Sequence, residues 1–128
     1  MTRVLGRQKF AVVEDDPFMA DVVGEMLSCG DIDVEIFALG AELFDSPNLM
    51  DFEAIVLDLT LPDMGGFDVM DKLADMSSSS SILVTSGHDP ATLAAAKIYG
   101  RGMGLKVRGV LTKPFSRAEL LAALGLPA

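Results

Sequence analysis

The 128-residue chain has one cysteine and one histidine, and its ten Lys and Arg are outnumbered by nineteen Asp and Glu. Each shortage removes a class of function. A single cysteine, Cys29, excludes an internal disulfide and any multi-cysteine metal centre, and it fits a reducing, cytoplasmic setting. The lone His88 cannot build a histidine-rich metal site, and no Ser-His-Asp reading rests on it. A formal charge of −9 leaves no broad basic face to displace counterions from phosphate. Direct nucleic-acid binding is therefore not expected, nor is docking on anionic lipid. No window approaches the roughly 18 uninterrupted apolar residues of a membrane span. Met1 to Gln8 carries two arginines with no apolar stretch behind them, so no signal peptide is expected and residues 1–8 read as a flexible N-terminal extension.

What the chain does have is apolar material, 50% of its residues, in a length suited to a single domain over residues 1–128. Lys9 to Val13 is a short apolar run that stops in acid, as a buried strand does. Asp16-Pro17 then supplies a helix cap and a first-turn proline, and Phe18, Met19, Val22, Val23, Met26 and Leu27 recur at the spacing of a buried helix face ended by Cys29-Gly30. Val34–Phe37 reads as a strand and Ala41–Asp45 as a short helix. Ala54–Leu57 is a second strong strand, ending on Asp58. Pro62, Gly65 and Gly66 mark a loop, and Phe67, Val69, Met70 and Leu73 a helix. The five serines 77–81 read as a solvated loop. Ile82–Val84 is a strand ending at Thr85-Ser86, Pro90–Gly100 an alanine-rich helix broken by Gly100, Gly102 and Gly104, and Val107–Leu111 a last strand. Ser116 with Glu119 forms a capping box for a final helix. Five strands alternating with five helices predict an α/β fold with a parallel sheet and right-handed crossovers.

A parallel sheet sends all its strand C-termini to one edge, where ligands bind. On that edge the sequence places Glu14-Asp15-Asp16, Asp58, Thr85-Ser86 and Lys113. Crowded carboxylates repel unless a cation sits among them. An oxygen-only donor set selects a hard ion, Mg²⁺ with Mn²⁺ as the alternative. Lys113 leaves room for an anionic group such as a phosphoryl, and Thr85 could donate a hydrogen bond to it. Taken singly, each residue has a plainer reading. Asp16 is a helix cap and Lys113 a solvated loop lysine, so the weight lies on the conjunction of four strand ends.

The segments Val12-Val13-Glu14-Asp15-Asp16-Pro17, Val56 to Gly66, Val84-Thr85-Ser86-Gly87 and Lys113-Pro114-Phe115 resemble, in order, the motifs of response-regulator receiver domains. Asp58-x-x-x-Pro62-x-Met64-x-Gly66 is the most specific of them. The resemblance implies a doubly wound flavodoxin-like receiver fold with strand order 2-1-3-4-5. It implies Asp58 as phosphoacceptor, with Glu14, Asp15, Asp58 and the backbone carbonyl of Thr60 as Mg²⁺ ligands. Thr85 and Lys113 would be the phosphoryl-binding switch pair, and the Lys113-Pro114 bond would be cis. The implied donor is a sensor histidine kinase or phosphotransfer protein. The implied output is a change in affinity for an output domain or target protein through helix 4, strand 5 and helix 5, with homodimerisation there left open. Such a domain catalyses only its own aspartyl phosphorylation and dephosphorylation.

Three features depart from the family pattern. Val110 stands where an aromatic switch residue is usual. Ser86 follows Thr85 in place of Ala or Gly, and either narrows the phosphoryl pocket or binds the group. Lys113 follows Thr85 by 28 positions, with the extra length in Tyr99–Arg108, where Arg101, Lys106 and Arg108 concentrate positive charge on the output side. That segment resembles receivers joined to cyclic-di-GMP phosphodiesterase domains. Two other readings fit the residues less well. A haloacid-dehalogenase-type phosphatase needs a second Asp that Asp58-Leu59-Thr60 lacks. A degenerate receiver, working as a phosphorylation-independent module, would not need the full set of site residues.

Overall fold

Short apolar stretches form the strands, four of the five running into acid or hydroxyl residues, and the periodic segments between them form the helices. The structure, a computed structural model, describes residues 7–28, 31–87 and 90–127. Along the chain lie β1 (Gln8–Val13), α1 (Pro17–Leu27), β2 (Ile32–Phe37), α2 (Gly40–Asp45), β3 (Ala54–Asp58), α3 (Gly66–Asp75), β4 (Ser81–Ser86), α4 (Pro90–Gly102), β5 (Lys106–Thr112) and α5 (Arg117–Leu124). The strands form one parallel sheet in the order β2-β1-β3-β4-β5, the flavodoxin-like arrangement expected. None of the described helices is long and apolar enough to cross a membrane.

β3 lies at the centre with every residue buried, which is why its sequence is a continuous apolar run rather than an alternation. Successive strand residues face opposite layers. Ile55 and Leu57 join Leu43, Val69, Leu73 and Leu93 under α2, α3 and α4, while Val56 and Phe10 join Val23, Leu27, Leu120 and Leu124 under α1 and α5. Burial on both faces fixes the register, because a slip of one residue would exchange the two sets.

Several local expectations are corrected. Of the extension expected over residues 1–8, residues 1–6 lie outside the described residues, Arg7 ion-pairs with Asp33 and Gln8 opens β1. Cys29-Gly30 and His88 also lie outside them. Phe18 does not belong to the buried face of α1: it is 76% exposed, and Ala20, Val23 and Leu27 carry the contact. The serine run is not plainly solvated. Ser78 and Ser80 are buried, Ser80 Oγ donates to the Phe52 carbonyl at 2.6 Å, and Ser81 already belongs to β4. Gly100 does not break α4, which continues to Gly102. A Cβ there would lie 2.6 Å from Val107 Cγ2, so glycine lets the helix close on β5. One further residue is taken up by a register shift in β5 between the partners of Ile82 and Leu83, which skips Arg108.

Gly66 opens α3 under the same kind of constraint. Its N–H donates to the Leu59 carbonyl at 3.0 Å, and a Cβ would come within 2.9 Å of the Leu59 Cα. Backbone cannot yield as a flexible side chain does. Gly66→Ala is expected to lower stability by about 1–3 kcal/mol, read as a reduced urea midpoint at unchanged m-value; an unchanged midpoint would show that the turn relaxes freely.

Candidate functional site

Adjacent strands set the site. β1 pairs with β3 and β3 with β4, so the residues leaving their C-terminal ends meet on one rim. Glu14 follows β1, its N–H donating to the Phe37 carbonyl at 2.9 Å. Asp58 ends β3 and stands opposite Thr85 on the ladder. Lys113 follows β5, its N–H donating to the Ser86 carbonyl at 2.9 Å, and its peptide bond to Pro114 is cis.

Carboxylate oxygens of Glu14, Asp15 and Asp58 lie within 4.8 Å of one another. Glu14 and Asp58 are buried, at 5% and 4% exposure, while Asp15 faces solvent. Lys113 Nζ bridges the buried pair, 2.5 Å from Glu14 Oε1 and 3.2 Å from Asp58 Oδ2. The other oxygens are held by backbone: Asp16 N–H donates to Glu14 Oε2 (3.2 Å) and Thr60 N–H to Asp58 Oδ1 (3.1 Å). Burial pushes the Glu14 carboxyl above its ordinary value; the bond from Lys113 opposes this and the Asp58 charge adds to it. Burial works against the Lys113 ammonium, but the bond to Glu14 and the Asp58 charge outweigh it and hold its pKa above the usual lysine value.

One ammonium against three carboxylates leaves negative charge in excess. The donors are all oxygens, two are buried and one is open, which fits a divalent hard cation that keeps water on one side. Asp16 is placed as the α1 cap, its Oδ1 accepting from Phe18 N–H at 3.0 Å and Met19 N–H at 3.4 Å. Thr85 and Ser86 are both buried at the end of β4. Thr60 reaches Asp58 through its N–H. Val110 is half-buried against the layer beneath α4. The basic residues of the extended segment lie at the far end of β5 from Lys113: Arg101 Nε donates to the Val107 carbonyl at 2.9 Å, and Arg108 lies so close to Gly125 that a Cβ there would strike its guanidinium.

Asp63 occupies an unspecified position of the Asp58-to-Gly66 motif. Its Oδ1 and Oδ2 accept from Gly40 and Ala41 N–H, both at 2.9 Å, joining the loop after Asp58 to the start of α2. The Ala41 bond, with that of Gly40, holds its carboxyl below the ordinary range. An Asp in a Pro-Asp turn carries no sign of a partner 22 residues away.

Residues 10–125 match the family model described as the response regulator receiver domain. The cell cycle response regulator CtrA of Brucella ovis is 34% identical over 113 residues, 88% of this chain and 47% of the relative. The chain thus spans about half the length of the curated relatives it matches. Among solved structures, a response regulator from Colwellia psychrerythraea superposes with a TM-score of 0.77 at 30% identity, covering 94% of this chain and 95% of that one. The BeF3-activated receiver domain of DrrB, from Thermotoga maritima, superposes with a TM-score of 0.76 at 25% identity, covering 94% and 96%.

The displaced values set a pH dependence. A carboxyl raised in the fold contributes stability that is complete below its unfolded value, 4.5 for Glu14, and is lost as pH climbs through the folded value. Lys113, raised above 10.5, keeps its contribution up to its ordinary value. Asp33 and Asp63, held below 3.8, lose theirs only in stronger acid. As pH rises from 4.5 towards neutrality, Glu14 is therefore the one of these four groups whose contribution declines. In EDTA the thermal midpoint is expected to be higher at the acid end of that window, and this gain is expected to vanish in Glu14→Gln. A wild-type midpoint that falls from pH 7 to 5 contradicts the electrostatics described.

Proposed function

The chain belongs to the response regulator receiver domain family of two-component systems, and on that premise we propose that Asp58 accepts a phosphoryl group from a histidine kinase or phosphotransfer protein in a Mg²⁺-dependent reaction in the cytoplasm. The observation that carries this reading is the bridge from Lys113 to buried Glu14 and Asp58, beside exposed Asp15. Glu14, Asp15, Asp58 and the Thr60 carbonyl would hold the cation, Mg²⁺ or Mn²⁺. When bound, it supplies positive charge against the phosphoryl oxygens as they approach an acidic site.

The Asp58 carboxylate is the nucleophile: its oxygen forms the O–P bond while the N–P bond of the donor phosphohistidine breaks and the imidazole departs. Thr60 N–H and Lys113 hold the two Asp58 oxygens and so fix the carboxylate before attack. The product is an acyl phosphate of about −1.5 to −2 charge in place of a carboxylate of −1, so the rim gains roughly −0.5 to −1. Lys113 then has new oxygens to satisfy in competition with Glu14, and Thr85, the ladder partner of Asp58, has a hydroxyl to offer. Any displacement of Thr85 and Ser86 is passed through two backbone bonds, Leu59 N–H to the Thr85 carbonyl and Lys113 N–H to the Ser86 carbonyl. Val110 has a single side-chain torsion and little reach, so the output face of α4, β5 and α5 receives the change through backbone rather than through a swinging ring. A phosphorylation-independent module gains no support from a site that keeps Glu14, Asp15, Asp58, Thr85 and Lys113 together.

Incubation with acetyl phosphate or phosphoramidate tests the reading by intact mass. Wild type is expected to take up one phosphoryl per chain with Mg²⁺ and none in EDTA, and Asp58→Asn none in either. Stoichiometric uptake by Asp58→Asn would sink the assignment.

A further inference from the structure

The loop between β3 and α3 is fastened at its tip as well as at its base. At the base, Gly66 N–H closes on the Leu59 carbonyl and Leu59 and Leu61 are buried. At the exposed tip, Asp63 grips Gly40 and Ala41 through both oxygens, and Met64 packs so tightly on Gly40 that a Cβ there would lie 2.6 Å from its Cγ. The turn that Asp63 grips is itself tied to the site, because Phe37, just before it, accepts from the N–H of Glu14.

Followed in order, these contacts close a ring. It runs from Glu14 to Phe37, through the β2–α2 turn to Asp63, back along the loop to Thr60, from Thr60 N–H to Asp58, and from Asp58 through Lys113 to Glu14. Lys113 closes the ring on one side of the acids and Asp63 on the other. We infer that Asp63 is a positioning residue for the cation site: its carboxylate clasps the loop bearing Thr60 to the turn behind Glu14, and so sets the spacing between ligands supplied by two strands.

The chemistry suits a clasp. The first N–H groups of α2 have no intrahelical partner, and Leu39 before them has no side-chain acceptor. An anion there is favoured by the helix dipole as well as by two hydrogen bonds. Glu42 Oε1 takes the two preceding N–H groups, those of Ala38 and Leu39 (2.8 and 3.2 Å), so the turn is held rigid from within and a pull at Asp63 is not absorbed by it. Supporting residues of this kind influence metal affinity without touching the metal.

The inference rests on the cation site proposed above, and calorimetric titration of the full chain with MgCl₂ alone separates the two. Asp63→Ala is expected to weaken Mg²⁺ binding about five- to tenfold, and Asp63→Asn, which keeps one acceptor oxygen, about two- to threefold. Thermal unfolding in EDTA runs alongside. A lowered midpoint with an unchanged Mg²⁺ Kd in Asp63→Ala would make Asp63 a structural cap only and overturn the inference. If Asp63→Ala does not fold, an Asp63→Asn affinity equal to wild type overturns it. Wild type that takes up no Mg²⁺ overturns the parent reading itself.

Discussion

Two buried carboxylates facing one another repel, and a single ammonium bridges them. Lys113 reaches Glu14 and Asp58 at once, and the backbone N–H groups of Asp16 and Thr60 satisfy one further oxygen on each. That bridge requires β1 next to β3, and β5 to end on the same side, which is what the 2-1-3-4-5 order provides. The compensation is incomplete. With Asp15 included, three carboxylates meet one lysine, while burial, with a lesser contribution from the Asp58 charge, raises the Glu14 carboxyl. Such an arrangement leaves negative charge that a divalent cation would relieve, in keeping with the function proposed above.

Much of this was legible in the sequence because it depends on local chemistry or on a single topological rule. Asp16-Pro17 and Ser116 with Glu119 act over three residues, and both caps form: Ser116 N–H donates to Glu119 Oε1 (2.9 Å) and Glu119 N–H to Ser116 Oγ (3.0 Å). The run Ala54–Leu57 could only be a doubly covered strand, and parallel packing then carries Asp58 to the rim with Glu14. What could not be read was set by packing between distant segments. Gly100 looked like a helix breaker because glycine is a poor helix former, yet the need to meet Val107 decided its place. The serines looked solvated until the Phe52 carbonyl claimed Ser80. Phe18 fitted the helical period, but the buried face of α1 begins two residues later, at Ala20. The clasp at Asp63 spans more than twenty residues and leaves no trace in spacing.

The extended segment before β5 also changes meaning. Its three basic residues concentrate charge in sequence, but Arg101 is engaged with the Val107 carbonyl and Arg108 reaches across to the end of α5. Part of the extra length is absorbed by the register shift at Arg108. The lower part of β5 is thereby tied to α4 and α5, and its other end leads to Lys113. Val110, half-buried near that end, has no ring to swing.

The central claim is that the rim carries negative charge which a divalent cation relieves. Thermal unfolding of the full chain across a Mg²⁺ series, from EDTA upward, tests it without reference to any partner. Linkage predicts stabilisation that grows by about 1.4 kcal/mol for each tenfold rise in concentration above Kd. The midpoint of wild type should climb accordingly, and that of a Glu14→Gln, Asp15→Asn double variant should stay level. A wild-type midpoint that ignores Mg²⁺, or a double variant that climbs equally, contradicts the claim.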